Sequence, residues 1–273
     1  MLHSRVRGGT ANTVRGAAGF LSETFARVRQ AGACGPLTLR ADSGFYAKAV
    51  LLACRQAGVR LSVTVRQDQA VQRAIAAIPE RTWVPIPYWS STGAFGVDEQ
   101  GQPISGADVA ECGYTAFGKK GLQLRLIVRR VRPTPGSQLA LFAEFSYHAL
   151  VTDREGSTLE LEADHRRHAE VETAIRDLKE GGGLAHLPSG RFAANAAWLA
   201  FATLAHNLAR WVTQIGLWDQ LPARTTSGRL RRCLFSVPGR RTRSGRITVL
   251  HLPRDWPWEH LFLTTLSRLR AVT

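Results

Sequence analysis

Two stretches of the chain combine residue types that bind hard cations, move protons or contact anions. The first is Arg40-Ala41-Asp42-Ser43-Gly44-Phe45-Tyr46, in which an aspartate directly follows an apolar run, Leu37 to Ala41, that reads as a buried strand. A carboxylate at the carboxyl end of such a strand lines the crevice where α/β folds place their ligands. The same Asp-Ser-Gly sequence also suits an Asx-turn, or the N-cap of a following helix. The second stretch runs from His165 to Lys179 within a helix expected from about Glu162 to Glu180. At roughly 100° per residue, His165, His168, Glu172 and Lys179 fall within about 60° of one another, while Glu170 points away. The bland alternative is a salt-bridged surface helix. A zinc site is the other one, but no further residues complete its ligand set.

The elements that must position these residues follow from hydrophobic periodicity. Leu2 to Arg7 alternates as a short strand, ended by Gly8-Gly9. Thr10 or Asn12 can cap a helix to about Ala31, with Phe20, Leu21, Thr24, Phe25 and Val28 along one side. After the Leu37–Ala41 strand, a helix from Tyr46 to about Ala57 ends at Gly58, and Val59 to Arg66 is another strand. Strand, helix, strand, helix, strand is the rhythm of an α/β layer fold. From about Pro79 to Asp153 prolines and glycines multiply, and Gln123–Val131 and Phe145–Val151 read as strands of a β-rich insertion. Gly181-Gly182-Gly183 breaks the Glu172 helix, and a long apolar helix runs from about Arg191 to Ile215.

Charge narrows the class of partner. The net charge is +15 and the pI about 11.0, which points to a polyanion, with nucleic acid the foremost. Only four of the 36 basic residues are lysines, and arginine forks suit bidentate contact with phosphate and guanine; an arginine-biased genome is the competing explanation. Between Asp219 and Asp255 there is no acidic residue, while nine arginines accumulate. The segment Arg224 to Arg246 is therefore expected to add electrostatic DNA affinity, with Arg224, Arg231, Arg232, Arg240, Arg241 and Arg243 as contacts. The four cysteines form no CxxC pair, which argues against a zinc ribbon or a disulfide framework. No secretory signal or membrane-spanning stretch stands out, so a cytosolic protein is the default.

Arg-Ala-Asp42-Ser-Gly-Phe-Tyr resembles the strand-end motif of insertion-sequence DDE transposases that holds their second catalytic aspartate. The later helix resembles the family's Y-x2-R-x3-E-x6-K signature. His165 stands at the Tyr, His168 at the Arg, Glu172 at the Glu and Lys179 at the Lys, so the spacing matches throughout and the identity only at Glu172 and Lys179. Ile-Arg-Asp-Leu-Lys179 and the opening Arg-Gly-Gly-Thr-Ala-Asn-Thr share the family's look. The resemblance implies an RNase H-like core that carries out metal-dependent cleavage and strand transfer of double-stranded DNA at element ends and target. Asp42 and Glu172 would hold Mg²⁺, with Mn²⁺ a possible substitute. Lys179, His165 and His168 would contact DNA, and a homodimer in a synaptic complex, in the bacterial cytoplasm and nucleoid, is implied with it. Two such ions about 4 Å apart activate the nucleophile and stabilise the leaving oxygen of an in-line displacement at phosphorus.

The resemblance divides the chain into core residues 1–78, a β-rich insertion 79–153, a second core part 154–215 with the Glu-bearing helix, and a basic tail 216–273. The family's first catalytic aspartate lies on the first strand of the fold, Leu2–Arg7 resembles the third, and no Asp precedes position 42. The first strands and that aspartate are therefore expected to be missing, leaving an incomplete copy without normal transposition activity. Glu23 and Asp68 are the carboxylates to consider for the vacant place. The rival readings are a non-catalytic basic DNA-binding remnant and an RNase H-like nuclease.

Overall fold

The computed structural model describes residues 1–10, 12, 14–87, 105–133, 144–167, 169–222 and 225–272. It forms two compact units, Gly9–Ala169 and Met1–Gly8 with Glu170–Thr273.

The Gly9–Ala169 unit is built on a six-stranded mixed sheet of order β1-β2-β6-β5-β4-β3: β1 (Thr38–Ala41), β2 (Arg60–Thr64), β3 (Val84–Pro85), β4 (Ala107–Ala116), β5 (Leu122–Val131) and β6 (Ser146–Thr152). β1 and β2 are parallel, which requires a crossover, and α2 (Lys48–Gln56) supplies it. Gly58, at φ 63°, closes that helix as its position predicted, with the Val59 amide returning to the Cys54 carbonyl at 2.9 Å. All further pairs are antiparallel. The β-rich segment 79–153 supplies β3 to β6, which continue the sheet from β2; its residues 88–104 and 134–143 lie outside the described ones. Alternation along the strands builds two cores. Leu61, Val63, Leu126, Val128, Ala149 and Val151 face α1 (Ala17–Gln30), α2 and α3 (Gln69–Ala76), while Val109, Ile127 and Leu150 face α4 (Thr158–Arg166) through Leu161. A mixed sheet with helices on both faces is compatible with an RNase H-like core.

α4 starts at a capping box formed by Ser157 and Glu160, and it docks largely through polar groups. Glu162 is buried, and its carboxylate lies 3.4 Å from Arg129 of β5 and 2.8 Å from Arg166 one turn on. Asp164 pairs with Arg154 and with Arg40 of β1. At the other end Glu111 of β4 takes Arg125 of β5 and the hydroxyl of Thr158. Burial disfavours the charged form of Asp164, yet the Arg154 hydrogen bond and the charges of Arg40, Arg154 and Arg167 hold its pKa below the ordinary range.

The other unit holds α5 (from Ala169 to Glu180), α6 (Phe192–Trp211) with a π-helical turn Val212–Gly216, the short α7 (Ser227–Leu230) with a second such turn Arg231–Phe235, a hairpin of β7 (Arg240–Ser244) and β8 (Ile247–His251), and α8 (Glu259–Arg270). Leu217, Leu221, Leu230, Cys233 and Leu234 form its core with Trp258, Leu261 and Phe262. The described residues of 216–273, expected as a basic tail, carry helices and a hairpin.

Three expectations are corrected. Leu2–Arg7 forms no strand. It has no ladder partner among the described residues, and the segment is tied to α6 instead: Asn207 bonds both the amino group (2.6 Å) and the carbonyl (2.7 Å) of Met1, and the Ser4 side chain lies 3.3 Å, Oγ to Oγ1, from Thr203. The first helix starts at Ala17, because Gly16 sits at φ 74°; Asn12 makes a local turn with Val14 instead of capping it. The helix expected from Glu162 to Glu180 is two helices, parted at Arg167.

Arg129→Met is expected to lower the stability of the sheet unit by about 2–4 kcal/mol in urea denaturation, because Glu162 keeps its burial and loses a cation. Arg60→Met, which removes a 3.8 Å pair with the exposed Glu155, should stay within about 1 kcal/mol. The lowered pKa of Asp164 stabilises the fold above its unfolded value of about 3.9, and that contribution is lost as pH falls through the folded value. Asp164→Asn should therefore melt below the wild type at pH 7 and approach it below about pH 4.

Candidate active site

β1 ends where Ala41 pairs with Val63, so Asp42 stands one step further, level with Thr64 on the neighbouring parallel strand. Asp42 is exposed. Its Oδ1 accepts from the Gly44 amide at 2.9 Å and caps a 3₁₀ turn, Ser43–Phe45. This is the Asx geometry that the turn reading required, and it commits one carboxylate oxygen while Oδ2 has no hydrogen bond among the described residues.

His165 lies against the same strand ends. Its Nδ1 is 2.8 Å from Ser62 Oγ and its Nε2 2.9 Å from Thr64 Oγ1, hydroxyls that can each donate or accept, so both ring nitrogens are engaged. Arg40, two positions before Asp42, bonds Asp164 beside it. The last turn of α4 thus rests on the carboxyl ends of β1 and β2, with neighbouring strands spaced about 4.8 Å apart. The single helix expected to carry both His165 and Glu172 is two helices, with His165 on α4 and Glu172 on α5. His168 and Arg224 lie outside the described residues.

Glu172 and Lys179 are both on α5 and both exposed. Seven residues bring a helix back to nearly the same direction, so they share a face two turns apart. Sequence reading missed what fixes this helix. The Asp177 carboxylate accepts from the Ser227 amide (2.9 and 3.1 Å) and hydroxyl (2.7 Å), and the Arg231 guanidinium donates to the Gly181 carbonyl. The start of the arginine-rich segment is thereby fastened to the Glu172 helix, and Arg231 spends part of its hydrogen-bonding capacity there. The one signal in the sequence is an aspartate in Ile-Arg-Asp-Leu-Lys with no local role, and only the fold could supply its partner. Asp177 also faces the buried His206 at 3.5 Å; burial lowers the pKa of that imidazole, and Asp177 only partly offsets the effect. Arg232, Arg240, Arg241 and Arg243 are all exposed.

Asp42 and Glu172 are exposed carboxylates without an ion pair among the described residues, so in kind they suit a hard divalent cation. No group of three possible His, Cys, Asp or Glu ligands forms among the described residues. Asp68, considered for the vacant place, caps α3 through the amides of Ala70 and Val71, both at 3.0 Å. No described helix is long and apolar enough to cross a membrane.

The comparison with curated proteins finds no match. The family described as transposase DDE domain group 1 matches residues 1–273, a span that includes the Asp42 strand end and the Glu172 helix alike. Since that match runs the whole length of the chain, the chain belongs to the DDE transposase family.

Proposed function

We propose that Asp42 and Glu172 together hold a divalent cation, Mg²⁺ or Mn²⁺, with which the protein cleaves double-stranded DNA at element ends and joins it to a target. One observation supports the reading: the family match spans both motifs, and Asp42 and Glu172 are each exposed and without an ion pair among the described residues. The cation would supply Lewis-acid activation of a water or 3′-hydroxyl and charge neutralisation at the leaving oxygen. Asp42 contributes the oxygen that its turn leaves uncommitted. Lys179, on the face of Glu172, is placed for a phosphate beside the cut, and Arg232 lies on the segment fastened to the same helix. Substrate phosphate completes the metal's oxygen shell, since Asp42 and Glu172 cannot fill it alone. Two copies, one at each element end, belong to the same reading. His165 serves it by positioning, because both of its ring nitrogens are already engaged.

The binding-remnant reading is favoured by a different observation, the lack of any three-ligand group among the described residues. Titration of the purified chain with Mn²⁺, followed by electron paramagnetic resonance, separates the two. Asp42→Asn and Glu172→Gln are each expected to weaken Mn²⁺ binding about tenfold or more, with the double variant little worse than either, because both carboxylates would hold the same ion. Mn²⁺ affinity untouched by either change sinks the two-carboxylate site. Duplex DNA binding that persists without metal binding or Mg²⁺-dependent nicking establishes the remnant instead.

A further inference from the structure

We propose that the β7–β8 hairpin is a ribbon that enters the major groove of double-stranded DNA and reads guanine through Arg241 and Arg243. The inference rests on the DNA-directed function above and adds a base-reading element to it. The strands run antiparallel from Arg240↔His251 to Ser244↔Ile247 and turn through Gly245, at φ 58°, and Arg246. Every residue of β8 and all but Thr242 of β7 are exposed, with Ile247 at 68% and Leu250 at 60%. A bare two-stranded hairpin is marginally stable in water, and exposed apolar side chains on one have no folding role.

Residues opposite each other share a face, so Arg241 with Leu250 and Arg243 with Thr248 line one side. Arg240, Thr242, Val249 and His251 line the other, where Thr242 Oγ1 lies 2.8 Å from His251 Nε2. The first face pairs two guanidinium forks with a leucine and a threonine methyl. Those are the groups that match what the major groove presents: guanine O6 and N7 to arginine, and the thymine methyl to apolar carbon. Arg243 Nε donates to the Gly245 carbonyl at 3.2 Å, which holds the side chain near the turn and leaves its terminal nitrogens to meet a base edge. Arg240 and Arg246 are left for flanking phosphates. The size fits as well: five residues span about 17 Å, and two strands about 5 Å apart enter a groove about 12 Å wide and 8.5 Å deep. Charge selects DNA over a second copy. An antiparallel pairing of two β7 edges would set arginines against arginines, and no acid between Asp219 and Asp255 relieves them.

The test measures binding of the full chain, by fluorescence anisotropy without metal, to an alternating guanine–cytosine duplex and to the same duplex with 7-deazaguanine, which lacks N7. The wild type is expected to prefer the guanine duplex by about fivefold or more. Arg241→Ala with Arg243→Ala should abolish the preference, whereas Arg240→Ala with Arg246→Ala should weaken both duplexes in parallel. Equal affinity of the wild type for both duplexes overturns the proposal. So does a preference that survives loss of Arg241 and Arg243, or a change of oligomeric state in that variant with DNA affinity unmoved. Mn²⁺ bound through Asp42 and Glu172 without a guanine preference would defeat the ribbon alone. A guanine preference without that metal site would defeat the catalytic reading alone.

Discussion

A carboxylate shut away from water must be met by cations, and Glu162, with 3% of its side chain exposed, is the point in the sheet unit where that demand is strongest. Arg129 reaches it from β5 and Arg166 from its own helix, so the register of α4 on the sheet is set by charge as much as by Leu161. Ion pairs of this kind specify geometry more than they add stability, because desolvation consumes much of the Coulombic gain. Once Glu162 is seated, Asp164 falls to Arg40 and Arg154, and His165 falls to Ser62 and Thr64. The last turn of α4 is therefore held on the sheet by a short row of polar contacts.

The arginine surplus divides along the same line. In the sheet unit Arg40, Arg125, Arg129, Arg130, Arg154 and Arg166 all answer carboxylates; Arg130 is held by Glu80 and Asp108 and also lies 4.4 Å over Trp83. Those side chains belong to the fold. The arginines from 229 to 254 sit in a stretch without acids, while Arg268 beyond it answers Asp219. Ser227 and Arg231 fasten the start of that stretch to α5 through Asp177 and the Gly181 carbonyl, which restricts the chain there before any partner arrives.

Much of this was legible in the sequence. β1, α2, β2, β5, β6 and the long α6 announce themselves by apolar periodicity and by Gly58, and the Asp42 turn was open to both of its readings, as a turn and as a ligand. What was not legible depends on long-range contact. Leu2–Arg7 has a strand's alternation, but a strand exists only where another offers its ladder, and Asn207, some two hundred residues away, captured Met1 instead. The break at Arg167 has no proline or glycine to mark it. Since α4 is bound to the sheet by Glu162, Asp164 and His165, and α5 is held by Asp177 in the other unit, tertiary demands divide what local propensity would continue. α3 went unread because it is only eight residues long, although Asp68 and the spacing of Val71 and Ile75 mark it in retrospect. The β7–β8 hairpin was hidden by its arginines, which read as a charge run rather than as a strand.

The division of labour among the carboxylates sharpens the case for Asp42 and Glu172. Glu80, Asp108, Glu111, Glu162, Asp164 and Asp219 each meet an arginine, and Asp177 meets the amide and hydroxyl of Ser227. A carboxylate satisfied in this way is a poor metal ligand, because coordination would first have to break its charge-assisted bonds. Asp42 and Glu172 carry no such pairing among the described residues, and both are exposed, Asp42 just past the end of β1 and Glu172 on α5. Other acids are spent on amides instead of cations, Asp68 on the cap of α3 and Asp153 on the amide of Leu61. Asp42 differs from these in that its turn commits only one of its oxygens, and Glu172 in that no hydrogen bond or ion pair engages it among the described residues.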